Sequence, residues 1–205
     1  MKHTLLPPHR PKPEHPLIGD LGLACMRVHE FCGPARRTLA LMAAHRGPVF
    51  WIQCHWQVDR LFAPGVLPYF DPGQITFVRP KRLEDVLWCM EEVLRAGCVP
   101  LVIAELPAPP HLTPIRRLHL AAEAGAQQRK VTPLALLLTP GDGGAQGVES
   151  RWHLAPRHEI GQSGWLLQRR RARMAPPAAW AIDWNKDGAV LGAQVRKGGS
   201  PAPFA

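Results

Sequence analysis

Between residues 75 and 106 the apolar positions change their period twice. Ile75, Thr76, Phe77 and Val78 are β-branched or aromatic and predict a short strand, which Arg79-Pro80 stops. Leu83, Val86, Leu87, Met90, Val93 and Leu94 then recur at helical spacing, with Glu84, Asp85, Glu91, Glu92 and Arg95 outside that stripe. Gly97 predicts the helix end, because glycine takes the left-handed conformation without a side-chain clash. Residues 99–106, VPLVIAEL, are apolar at both parities, as a parallel strand buried on both faces requires. The segment predicts strand, helix, strand, with one acidic residue, Glu105, at the far end.

The alternation continues on both sides. Residues 27–32 predict a strand, followed by Gly33-Pro34 and a helix that Gly47-Pro48 closes; residues 49–54 predict a second buried strand. Residues 58–74 predict a loop or short helix. Thr113 is placed to cap a further helix, with Pro114 in its first turn and Gly125 at its end. Residues 131–140 are another apolar strand, and GDGGAQG at 141–147 reads as a flexible glycine loop. Residues 150–158 and 164–174 read as a pair of strands and residues 178–184 as a last one. Together these predict an α/β fold: a mainly parallel sheet flanked by helices, with an antiparallel C-terminal extension. The expected organisation is a Pro-rich arm over residues 1–20, a core domain over 21–185 and a disordered tail over 186–205.

Composition narrows the setting. The 205 residues carry 25 Lys+Arg against 16 Asp+Glu, a net charge of +9. That balance favours nucleic acid or an acidic protein surface as partner, although a generally arginine-rich composition accounts for it equally well. Five cysteines, at 25, 32, 54, 89 and 98, form no CxxC pair. Their odd number and the lack of an apolar leader predict a reducing, cytoplasmic setting, with the nucleoid as an alternative. No stretch is apolar enough to span a membrane. His29 and Cys32 have no obvious further ligands, so no metal site is expected.

The order of these elements resembles the RecA recombinase core over residues 21–185. More narrowly, HEFCGPARRT at 29–38, RAGCVPLVIAEL at 95–106 and IRRLHLAAEAG at 115–125 resemble the ImuA family, RecA-like proteins of bacterial SOS mutagenesis. The resemblance implies a RecA-like fold and an ImuB-like Y-family polymerase homologue as partner, with RecA and an error-prone replicative polymerase as further partners. It also locates a degenerate nucleotide site. The turn matching the phosphate loop is Gly33, Pro34, Ala35, Arg36, Arg37, Thr38, without the lysine and second glycine that cradle phosphates. Thr38 matches the Mg²⁺-binding hydroxyl by position, His55 the water-activating glutamate, Glu105 the Walker B carboxylate, and Thr139-Pro140 the γ-phosphate sensor. The expectation is loss of ATP hydrolysis, with no catalytic residue and no cofactor; weak ATP–Mg²⁺ binding is the alternative.

Candidate contacts to DNA or partners lie elsewhere. Arg169, Arg171 and Arg173 would share one face of an exposed strand and Arg170 the other, about 7 Å between same-face side chains. The rival reading is a charged, solvated edge strand. Among the tryptophans, Trp51 and Trp88 are expected in the core, while Trp180 and Trp184 are candidates for a partner surface. The resulting functional expectation is a non-catalytic adaptor in SOS-induced translesion synthesis. A DNA-stimulated ATPase of the RecA type and a SulA-like cell-division inhibitor are the alternatives.

Overall fold

The computed structural model describes residues 13–44, 47–129, 131–185 and 188–195. A hairpin of β1 (Glu14–Ile18) and β2 (Leu21–Ala24) leads into β3 (Val28–Cys32), α1 (Arg36–Ala43) and β4 (Val49–Ile52). A short α2 (Ala63–Val66) precedes β5 (Ile75–Val78), α3 (Leu83–Ala96), β6 (Leu101–Glu105), α4 (Leu112–Gln128) and β7 (Leu134–Leu138). Four strands end the chain: β8 (Ser150–Pro156), β9 (Gly164–Ala172), β10 (Ala178–Asn185) and β11 (Gly188–Val195). One sheet takes the order β11-β10-β9-β8-β3-β7-β6-β4-β5. Every pairing from β8 to β5 is parallel, and those from β8 to β11 are antiparallel. The mixed α/β architecture is thus the expected one: a mostly parallel sheet with an antiparallel C-terminal end.

Period-two alternation explains how the sheet is covered. In β6, Leu101 and Ile103 join a cluster with Leu39 of α1 and Trp51, whereas Val102 and Ala104 join Met90 of α3 and Leu118 of α4 on the other face. Neither parity meets water, so the strand has no polar side. Each fully buried leucine or isoleucine there stabilises the fold by roughly 1.5–3 kcal/mol. In the antiparallel end, Trp152, Leu154, Trp165, Leu167, Trp180 and Ile182 all face the α1 side. β5 and β6 flank β4, so the α3 crossover passes over one strand. As the outermost strand, β5 is only partly covered, and Phe77 is 47% exposed.

Several expectations fail for physical reasons. The arm assigned to residues 1–20 ends in β1, where His15, Leu17 and Ile18 are buried; residues 1–12 lie outside the described residues. The tail assigned to 186–205 contains β11, which β10 supplies with a pairing edge despite its thin apolar content; residues 186, 187 and 196–205 lie outside the described residues. α4 starts at Leu112, so Thr113 lies inside the helix and makes no cap hydrogen bond. The helix also continues through Gly125 to Gln128. Gly125 is a contact residue: a Cβ there would run into the Leu94 carbonyl and press on Gly97, which closes α3 at φ 59° as expected. Trp88 is 57% exposed, since α3 buries Val86, Met90 and Leu94 and turns Trp88 outward.

A buried polar group completes the core. His29 is enclosed between the Ser150 hydroxyl, 2.6 Å from Nδ1, and the Ala24 carbonyl, 3.0 Å from Nε2. The Trp152 indole N–H donates to the same hydroxyl at 2.7 Å. The carbonyl requires Nε2–H to donate, leaving Nδ1 to accept from Ser150, so the ring is neutral. Burial pushes its pKa from 6.5 down to about 4.

Gly125→Ala is expected to lower stability by about 1–3 kcal/mol through overpacking against α3, read as an earlier urea midpoint. The unfolded chain protonates His29 near pH 6.5 and the folded chain only near 4. The unfolded state therefore binds more protons in that window, and stability falls as pH drops through it, by up to about 3 kcal/mol. His29→Gln, whose amide can still donate to Ala24, should flatten the dependence of melting temperature on pH.

Candidate functional site

The carboxyl ends of β3, β7, β6 and β4 converge where an open parallel sheet offers a ligand crevice. The turn after β3 is built by Gly33, at φ 88°, a conformation that favours glycine. A Cβ there would strike the Leu154 carbonyl and the His153 ring. Its backbone donors are already committed. Gly33 N–H donates to the Gly141 carbonyl at 2.9 Å, Ala35 N–H to the Leu154 carbonyl at 3.1 Å, and Arg36 N–H to the Gly33 carbonyl at 3.3 Å. Pro34 has no N–H. A phosphate cradle needs amides that point at the ligand, and from residue 33 to 36 none remains open.

Glu105 is 2% exposed and equally committed. Arg37 Nε donates to Oε1 at 3.1 Å and to Oε2 at 2.9 Å, and its Nη2 lies 2.8 Å from Oε2. The Trp51 indole N–H donates to Oε1 at 2.7 Å. Arg37 Nη2 also reaches the Asp59 carbonyl, 3.2 Å away, and so does the Gln53 amide, at 3.2 Å. Ile52 pairs with Ala104, which brings Gln53 level with Glu105. The residue beside the carboxylate at the end of β4 is Gln53, not His55. His55 lies beyond the strand and is exposed, with its backbone tied to Pro80 and Arg79. Thr38 is half-buried one turn into α1. Arg36 turns back on its own turn and donates to Gly33. Of the predicted site residues, the fold joins Arg37 to Glu105 and leaves His55 apart.

Sequence reasoning missed a second buried carboxylate. Glu30, 0% exposed in the middle of β3, accepts from the Thr139 hydroxyl at 2.7 Å, Gly144 N–H at 2.9 Å, Ala145 N–H at 3.1 Å and Arg151 Nε at 2.5 Å. Gly143 must be glycine, because a Cβ would meet the carboxylate at 2.8 Å. The loop read as flexible is therefore clamped. Thr139, which the resemblance aligns with a phosphate sensor, serves Glu30 instead. The only sequence signal was an acid inside the otherwise apolar VHEFC strand.

No protein-family model and no curated protein matches this chain.

The arginine strand also departs from expectation. Arg151 pairs with Arg171 and Trp152 with Arg169, so Arg170 is the extra residue of a β-bulge. The alternation breaks there, and Arg169, Arg171 and Arg173 do not form a regular row. Arg169 lies over the rings of Trp152 and Trp180, 5.6 and 5.2 Å from their centroids, and donates to the Pro176 carbonyl. Arg170 pairs with Asp142 at 2.6 Å and holds that carboxyl below the usual range. Arg173 is paired with Glu149 at 3.6 Å, and Arg171 is exposed. Trp180 is 8% exposed, and Trp184 packs on Tyr69 at 4.5 Å between centroids. Both expected partner anchors are packing residues.

The crevice also holds Cys32, whose thiol burial pushes up to about 11, and His153, held below its ordinary pKa by burial and then by Arg170. At neutral pH Cys32 therefore stays a thiol and His153 a neutral ring, so neither adds charge to the crevice. Among the described residues no group of His, Cys, Asp or Glu could hold a metal ion.

Glu105→Gln should leave Arg37 without its counter-charge and cost about 2–4 kcal/mol, below the cost for a fully buried pair because Arg37 is partly solvated. Arg37→Met combined with Glu105→Gln should cost less than the two single changes together; equilibrium unfolding of all four proteins measures that coupling.

Proposed function

We propose that this chain is a non-catalytic RecA-like adaptor of the ImuA kind, acting in SOS-induced translesion synthesis. The supporting observation is that both halves of the nucleotide site are occupied by the protein itself. The turn amides go to carbonyls, and the Walker B carboxylate goes to Arg37 and Trp51. To recruit Mg²⁺, Glu105 would have to give up an ion pair in a region of low dielectric, which costs several kcal/mol. A chain that has internalised its phosphate and metal ligands keeps the scaffold and gives up the turnover.

An adaptor needs open surface, and the margin around β5 supplies it. Val58, Phe62 and Leu67 on the connection before β5 are 88%, 73% and 65% exposed, and Phe77 lies on the edge strand itself. An unpaired, apolar strand edge is a template for another chain. In this reading it receives the ImuB-like Y-family polymerase homologue; RecA and the error-prone replicative polymerase are the further partners. No helix among the described residues is long and apolar enough to cross a membrane.

The purified protein is expected to show no ATP turnover with or without single-stranded DNA, and no calorimetric heat with ATP–Mg²⁺. It should retain an ImuB-like partner in a low-salt pull-down, and Phe77→Lys should reduce that retention by roughly tenfold without changing the melting temperature. Turnover that Glu105→Gln abolishes would overturn the reading in favour of an ATPase.

A further inference from the structure

At the opposite end of the sheet, beside the amino ends of β3 and β8, lies a cleft of about 320 Å³. α4 forms one wall with Arg116, Leu120 and Glu123; the others are Arg27 before β3, Glu149 before β8 and Arg173 after β9. Arg116, Leu120 and Glu123 follow one another at i, i+4 and i+7, on the side of α4 away from the buried Ile115, Leu118 and Ala122.

The cations here differ in how much of their capacity is used. Arg27 is largely buried and committed, donating to Glu123 and to the Met26 carbonyl and lying 3.7 Å from Glu149. Arg173 meets Glu149 only at 3.6 Å, beyond hydrogen-bond range, and its side chain donates to no group among the described residues. Arg116 is exposed and has no ion pair or hydrogen bond among the described residues. Two guanidinium forks with free donors thus flank Leu120, a leucine 65% exposed. His119 takes no part as a cation: its Nδ1 accepts from Val28 N–H at 3.3 Å, its Nε2 donates to the Gly147 carbonyl at 3.1 Å, and burial holds its pKa low. Its ring contributes apolar wall.

We propose that this cleft binds a short acidic protein segment in which a carboxylate neighbours an apolar side chain. The carboxylate pairs with Arg116 and Arg173, whose planar forks suit bidentate contact, and the apolar side chain covers Leu120. Charge complementarity selects this occupant. The cleft has three guanidiniums against two carboxylates. A continuous run of phosphates would be repelled by Glu123 and Glu149 and would leave Leu120 unused, whereas a single carboxylate is accommodated. The cleft lies at the amino ends of β3 and β8, whereas the Gly33–Glu105 crevice lies at the carboxyl ends of the parallel strands, and it does not depend on the adaptor reading.

The test is fluorescence anisotropy of the full chain with a labelled acetyl-Asp-Leu-Phe-Asp-Leu-amide peptide, its Asp→Asn counterpart and labelled oligothymidylate. The acidic peptide is expected to bind. Arg116→Gln with Arg173→Gln, and separately the Asp→Asn peptide, should weaken it by roughly tenfold, and Leu120→Ser by about fivefold. All three residues are exposed, so unchanged melting curves will show that the variants fold. Absence of binding, an affinity the variants do not alter, or oligothymidylate binding lost with the same arginines would each overturn the proposal; the last would make the cleft a nucleic-acid site.

Discussion

A carboxylate with no access to water must be met by donors, or it gives up its charge or destabilises the strand that carries it. Glu30 occupies that position in the central strand of the sheet, and the solution organises the surrounding chain. Thr139 holds the end of β7, the Gly144 and Ala145 amides hold the following loop, and Arg151 holds β8. Arg151 closes the circuit by donating to the Ala145 carbonyl at 3.0 Å. β8 is where the sheet changes from parallel to antiparallel pairing. The same contacts that neutralise Glu30 therefore set the junction between the helix-covered half and the four-strand end.

That junction also determines what the crevice can become. With the loop after β7 drawn onto Glu30, Gly141 presents its carbonyl to Gly33 and Asp142 reaches Arg170. The turn after β3 closes on carbonyls, and the bulge at Arg170 gains a partner. The ion pair of Arg37 with Glu105 then fills the neighbouring space. Two buried carboxylates, each with its own arginine, thus stand beside a turn whose amides are already engaged.

The fold was legible where one physical rule dominated. Helical spacing located α3, and apolar runs at both parities located β6 and β7, because each pattern has one economical way to be buried. It was less legible where the answer depended on a distant partner. Gly125 has the local signal of a helix end, yet Leu94 and Gly97 make it a crossing point. The residues of β11 have little apolar content, and only the edge of β10 makes them a strand. Trp180 and Trp184 lie four apart, a spacing that suits either surface or core in a strand; Tyr69 and Trp152 decide for core.

For the candidate site, residue identities were legible and their engagements were not. Glu105 and Arg37 could be named from the turn and the strand end, but only the fold brings a guanidinium 68 residues away into bidentate contact. That engagement carries the functional argument further than the missing lysine does. On the proposed reading, a missing lysine by itself weakens phosphate binding but leaves the carboxylate free. An arginine seated on that carboxylate raises the cost of anything that would need it, and the pair also holds α1 to β6. Freeing Glu105 by substitution would then destabilise the crevice first, because Arg37 has to be removed before Glu105 can serve anything else.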